Sequence, residues 1–173
     1  MNIFLCGLPT SGKTLFGRAF AKYLAVPFLD IDDFIVSNYG KGLYCSTSKI
    51  FQTFGEETFS SWEVATLRSL TSENGVVALG GGTVMLQETY DIIKGKGILV
   101  YLSLSLSIIR ERLIKRGLPE RLKTAKNLDE VLQQRIDRMQ RIADYLFPID
   151  HVDLLNEESL LTACKSLDTL LSK

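Results

Sequence analysis

Neither sign of charge is in excess: 20 lysines and arginines face 20 aspartates and glutamates in 173 residues, for a formal net charge of zero. A dedicated nucleic-acid binder carries a basic surplus, so that class is set aside. Long apolar runs are also missing, although 46% of the residues are hydrophobic. None of them is long enough to span a bilayer. Cysteine is scarce and odd in number, and Cys6, Cys45 and Cys164 lie far apart without disulfide or metal-type spacing. They are expected to be small buried hydrophobes in a reducing cytoplasm. Met1–Cys6 has no positive start and no cleavage-site pattern, so it reads as a mature strand and not as a signal peptide. Repeats, low-complexity tracts and linkers are absent from the sequence, and the length suits a single domain over 1–173. The expectation is a cytoplasmic monomer with small-molecule partners and no nucleic acid or membrane. The single histidine, His151, is given a structural role.

What is present alternates. Ile3–Cys6 is a short apolar run closed by glycine, and Leu15–Leu24 repeats its apolar residues at helical spacing. The pattern predicts further strands at Pro27–Ile31, Gly75–Leu79, Gly97–Leu102 and His151–Leu155. Helices are expected at Gly55–Leu70, Leu106–Lys115, Leu128–Tyr145 and Glu157–Leu171. Strands that are apolar on both faces, separated by helices, imply βαβ units around a doubly wound parallel sheet, an α/β fold. Two segments are candidates for mobility: Tyr39–Phe54 and the polar stretch 116–127, which is long enough to serve as a lid.

Gly7-Leu8-Pro9-Thr10-Ser11-Gly12-Lys13-Thr14 fits G-x-x-x-x-G-K-[ST], directly after a strand and at the start of a helix. Such a loop cradles phosphates with backbone N–H groups. Lys13 reaches the β/γ oxygens, Thr14 offers a hydroxyl to Mg²⁺, and the helix adds its positive N-terminal end. The expected nucleotide contacts are Gly7, Pro9, Thr10, Ser11, Gly12, Lys13, Thr14 and Leu15. The motif specifies nucleoside triphosphate binding and leaves the acceptor open: water, a small molecule, or none in a module that only senses nucleotide.

Asp30 and Asp32 flank Ile31 at the end of the second strand, where a period of two points both carboxylates the same way. One carboxylate can hold Mg²⁺ through water, and the other can take a proton from a substrate hydroxyl. The alternative role for Asp32 or Asp33 is to cap a helix through Phe34–Asn38. Gly80-Gly81-Gly82 follows a strand at the place where a typical P-loop NTPase has a Mg²⁺-binding aspartate. Three glycines in a row carry an entropic cost that a simple turn does not need, so a close approach of ligand to backbone is expected.

Taken in order, the phosphate loop, Asp30-Ile31-Asp32, Gly55-Glu56, Gly80-Gly81-Gly82 and Arg135 resemble the shikimate kinase family, and the resemblance covers essentially the whole chain. It implies a nucleoside-monophosphate-kinase-like fold with a five-stranded parallel sheet. It also implies transfer of the γ-phosphate of ATP to the 3-hydroxyl of shikimate, with Mg²⁺, in aromatic amino acid biosynthesis. By the same resemblance Thr14 and Asp30 serve the metal and Lys13 serves catalysis. Asp32 serves catalysis and substrate, while Gly80, Gly81, Gly82 and Arg135 contact substrate, Arg135 through the carboxylate. The substrate segment is about 31–62.

Two departures stand out. Gly55-Glu56-Glu57-Thr58-Phe59 is followed by Ser60, where the family has a carboxylate-binding arginine. A serine cannot supply the charged fork, so either another cation substitutes or the acceptor differs. The lid also lacks the usual Arg-Pro-Leu-Leu, which leaves Arg116 and Arg121 as alternative lid arginines. From Arg110 to Lys126 there are seven basic residues against two acidic ones, a concentrated cationic field in a neutral chain. A lid arginine would stabilise phosphoryl charge and exclude water. Arg110 or Arg112 is expected to cover the adenine. The rival readings are a gluconate or nucleotide kinase and a regulatory nucleotide-binding module.

Overall fold

The computed structural model describes residues 1–71 and 74–173. Its centre is a five-stranded sheet, all parallel, in the order β2-β3-β1-β4-β5, formed by β1 (Asn2–Cys6), β2 (Phe28–Asp30), β3 (Val76–Ala78), β4 (Gly97–Ser103) and β5 (Tyr145–Pro148). The helices are α1 (Lys13–Leu24), α2 (Ile31–Tyr39), α3 (Thr47–Ser69), α4 (Gln87–Lys96), α5 (Leu106–Arg116), α6 (Glu120–Lys123), α7 (Leu128–Ile142) and α8 (Glu157–Leu171). Phe4, Leu5, Leu99, Val100 and Leu102 have no exposed surface. Strands buried on both faces are what a parallel sheet between two helical layers requires. β1 sits in the middle, so the phosphate loop leaves the sheet at its centre, where ligands of doubly wound folds bind. Among the described residues, no helix is long and apolar enough to cross a membrane.

Four sequence expectations need correction. The last strand is Tyr145–Pro148 and not His151–Leu155. α7 ends at Ile142 and not at Tyr145, which is the first residue of the strand; a short apolar run does not distinguish the two. Helix α3 begins at Thr47, with Ser46 as its cap, and Gly55 breaks it at φ 80° and ψ 174°. Helix α4 carries no clear periodic signal and was not expected. Cys45 is exposed, whereas Cys6 and Cys164 are buried; all three are free thiols.

The fourth correction concerns Asp30-Ile31-Asp32. The strand stops at Asp30 and the helix starts at once, because Asp30 is itself the cap: its Oδ1 accepts from the N–H groups of Asp32 (2.9 Å) and Asp33 (3.3 Å). The two carboxylates are therefore related by a helix start and not by strand alternation.

Candidate active site

The phosphate loop is held by backbone conformations that few residues adopt. Thr10 (φ 65°) and Gly12 (φ 95°) are both left-handed. For a threonine this is strained, as is common where a loop is shaped for a ligand. Gly12 is also closely overlaid by Leu154, which arrives from the turn after β5. The loop is tied to α5 as well, where Arg112 Nη1 donates to the Thr10 carbonyl at 2.9 Å. Arg110 instead pairs with Asp129 at 2.6 Å and is not brought to the loop.

Lys13 is buried, and its ammonium donates to the carbonyls of Gly7 and Leu8, both at 3.0 Å. Burial pushes its pKa down, Asp32 and other anionic neighbours oppose this, and the Arg116 guanidinium lowers it further. Arg116 is exposed at the end of α5. Thr14 Oγ1 donates to Asp30 Oδ2 at 2.6 Å, so Asp30 joins the phosphate loop to the start of α2. Leu15, the last residue of the expected nucleotide set, is exposed.

The triple glycine lies where several of these elements meet. A Cβ on Gly81 would come within 2.8 Å of the Pro9 ring, so the acceptor loop packs directly on the phosphate loop. A Cβ on Gly80 would lie 3.0 Å from Asp32 Oδ1 and 3.2 Å from Glu63 Oε1, and one on Gly82 would lie 3.0 Å from Arg121 Nη1. Side chains of the protein thus crowd all three glycines, leaving little room for a Cβ. Arg135, on α7, donates from Nη1 to the Gly81 carbonyl at 3.2 Å.

Asp32 sits among like charges. Burial, followed by the Asp30 and Glu63 carboxylates, pushes its pKa up to about 7, against the pull of Lys13 and Arg121. A carboxylate poised near neutrality is suited to accept a proton from a hydroxyl.

The two alternative lid arginines separate in space. Arg121 is turned to the triple glycine, and its Nη2 donates to both Ser60 Oγ and Glu63 Oε2 at 2.8 Å. Its guanidinium stacks over Phe59 and Phe51, with the carbon 5.1 and 5.6 Å from the ring centres. Glu63 has no exposed surface and also accepts from Thr83 Oγ1 at 2.6 Å. The sequence places Glu63 only one turn beyond Ser60; its partners come from distant segments that no local pattern reveals. The contacts of Leu154 with Gly12 and of Arg112 with Thr10 likewise carry no local signal.

A phosphate loop, a near-neutral aspartate and a pair of arginines meet around one glycine run, an arrangement with the groups that phosphoryl transfer requires. The shikimate kinase family model matches residues 9–165. A shikimate kinase of Chlamydia pneumoniae is 52% identical over 174 residues, covering 99% of both chains. One from Chlamydia muridarum is 38% identical over 90% of this chain and 84% of its own length. Among solved structures, shikimate kinase from Acinetobacter baumannii in complex with shikimate superimposes with a TM-score of 0.79, at 28% identity over 99% of this chain and 93% of that one. With a family match across most of its length and a relative identical at more than half of the aligned positions, the chain belongs to the shikimate kinase family.

Proposed function

We propose that the chain transfers the γ-phosphoryl group of ATP to the 3-hydroxyl of shikimate, with the residues gathered at Gly80–Gly82 as its acceptor site. The observation that carries this assignment of residues is the contact of Pro9 with Gly81, which sets the phosphate loop against the segment that holds Asp32, Arg121 and Arg135. Donor and acceptor are thereby held adjacent, and positioning is most of what phosphoryl transfer asks of a protein.

In this reading the 3-hydroxyl oxygen forms a bond to Pγ as the bond from Pγ to the bridging β,γ-oxygen breaks, and ADP leaves. Asp32 holds the hydroxyl and takes its proton. Lys13 and Arg116 neutralise charge on the phosphoryl oxygens, and the backbone N–H groups of Gly7–Thr14 hold the chain of phosphates. Arg135 holds the acceptor carboxylate. Thr14 Oγ1 and Asp30 Oδ2 are adjacent hard oxygen donors, and no cluster of three metal-ligating side chains occurs among the described residues. That donor set fits Mg²⁺, which takes few protein ligands and keeps water and phosphate oxygens. Bound there, Mg²⁺ would supply charge neutralisation at the β- and γ-phosphates.

The working unit in this proposal is one monomeric domain over 1–173 in the cytoplasm, with the acceptor segment about 31–62 and the lid about 116–127. The net charge of zero favours neither nucleic acid nor an anionic membrane. The test is ADP release from MgATP with shikimate, quinate, gluconate, AMP or no acceptor. Shikimate is expected to give the highest rate; a rate no higher with any acceptor than with water removes the kinase assignment.

A further inference from the structure

We infer that Arg121 is the second carboxylate-binding cation of the acceptor site, working beside Arg135 and held in place by Glu63 and Ser60. The inference rests on the shikimate assignment above and extends it to a residue that lies in the lid segment by sequence.

Arg121 and Arg135 stand over adjacent glycines. Arg121 Nη1 lies at Gly82, and Arg135 Nη1 is bonded to the carbonyl of Gly81. Burial and then the charge of Arg121 lower the pKa of Arg135, as expected for two guanidinium groups brought close together. Two cations converging on one backbone loop are stabilised by an anion placed between them. The donor accounting points the same way. Arg121 commits Nη2 to Ser60 and Glu63, while Nε faces the exposed Glu56 carboxylate only at 3.6 Å. Nη1 has no hydrogen-bond acceptor among the described residues, and Arg135 makes only its single bond to Gly81.

The Arg121 fork cannot swing to a nucleotide without leaving a fully buried carboxylate behind. Glu63 has no exposed surface, and its Oε2 accepts from Arg121. Breaking such a pair by withdrawing one partner is costly. Two aromatic faces, Phe51 and Phe59, hold the guanidinium from the side. Arg112 is bonded to the phosphate loop at the Thr10 carbonyl and Arg116 is exposed one turn further along α5, so the phosphate side has cations of its own.

The spacing also suits the acceptor. Asp32 Oδ1 stands at Gly80 and Arg121 Nη1 at Gly82, so the proposed hydroxyl and carboxylate partners lie over the two ends of one glycine run. Ser60 fits the same picture: a small hydroxyl there accepts a hydrogen bond from Arg121 and leaves room for a guanidinium delivered from α6.

The test compares shikimate with its methyl ester, which keeps the reacting hydroxyl and loses the anion, in the wild type, Arg121→Lys, Arg121→Leu and Arg116→Ala. Arg121→Leu is expected to raise the shikimate KM roughly 10- to 100-fold, the loss of a charged hydrogen-bond pair, with the ATP KM little changed. The preference for acid over ester should shrink in both Arg121 variants and persist in Arg116→Ala. Adding Ser60→Arg to Arg121→Leu should recover much of the shikimate KM, because the fork then arrives from α3. If Arg121→Leu fails to fold, Arg121→Lys carries the acid-to-ester comparison. Normal wild-type turnover with an unchanged acid-to-ester ratio in the Arg121 variants, or a loss confined to kcat and the ATP KM, overturns the inference alone. Absence of any shikimate-dependent turnover in the wild type overturns the assignment beneath it as well.

Discussion

Arg121 Nη2 donates to Glu63 Oε2 at 2.8 Å, joining a short helix of the lid segment to a carboxylate with no exposed surface. Glu63 also accepts from Thr83, so one buried side chain fastens α3, α6 and the loop after the triple glycine. Glu63→Ala should therefore lower unfolding stability by about 3 kcal/mol, since it leaves a mostly buried guanidinium unpaired. Urea denaturation measures this. In the folded fraction the acceptor KM should rise more than the ATP KM, a split that general loosening would not produce.

The near-neutral Asp32 gives a pH signature. Its pKa is pushed up to about 7 by burial and by Asp30 and Glu63. If it takes the hydroxyl proton, kcat/KM for shikimate rises with pH through that value and levels off above it. A profile flat from pH 5.5 to 8 would show that proton removal by Asp32 does not limit the reaction.

The same aspartate should trade stability for function. Its folded pKa of about 7 lies above the ordinary 3.8, so ionisation is harder in the folded state. The cost is absent below pH 4, grows as pH rises through the interval, and is complete above about 7. Asp32→Asn is accordingly expected to melt higher than wild type at pH 8, with the difference fading toward pH 4, while turnover is lost. Thermal unfolding at the two pH values checks the sign.

Lys13 separates binding from transfer. Its ammonium is buried against the phosphate loop, where it donates to the Gly7 and Leu8 carbonyls. Lys13→Ala should lower kcat about 100-fold or more through lost charge stabilisation. Shikimate affinity, read by calorimetry without nucleotide, should be unaffected.

Gly81 tests the adjacency of the two loops. A methyl group there meets Pro9 at 2.8 Å, and neither the ring nor the backbone beside it yields easily. Gly81→Ala is expected to impair both substrates at once, raising the KM values for ATP and shikimate together. Pro9→Ala added to it should restore part of the loss by vacating the ring volume.

Much of the site was legible along the chain, because its chemistry is written in short motifs. The phosphate loop follows from Gly7–Thr14, and the glycine run at 80–82 marked a place where the chain is crowded, although the neighbours that crowd it come from Pro9, Asp32, Glu63 and Arg121. Asp30 and Asp32 were recognisable as paired carboxylates, but their geometry was misread: a side-chain cap starts a helix one residue earlier than strand periodicity suggests. Tyr145–Pro148 was hidden for a related reason, since a short apolar run after a helix looks the same whether the chain continues or turns into the sheet.

The sequence by itself determined the alternation of strands and helices, the nucleotide loop and the absence of an arginine at position 60. Only the tertiary structure decided which cation stands near that serine, because Ser60, Glu63, Gly82 and Arg121 come from three separate segments. Sequence spacing carries information about neighbours one helical turn apart. A guanidinium that crosses from α6 to α3 is placed by packing against Phe51 and Phe59 and by the need of a buried carboxylate for a partner.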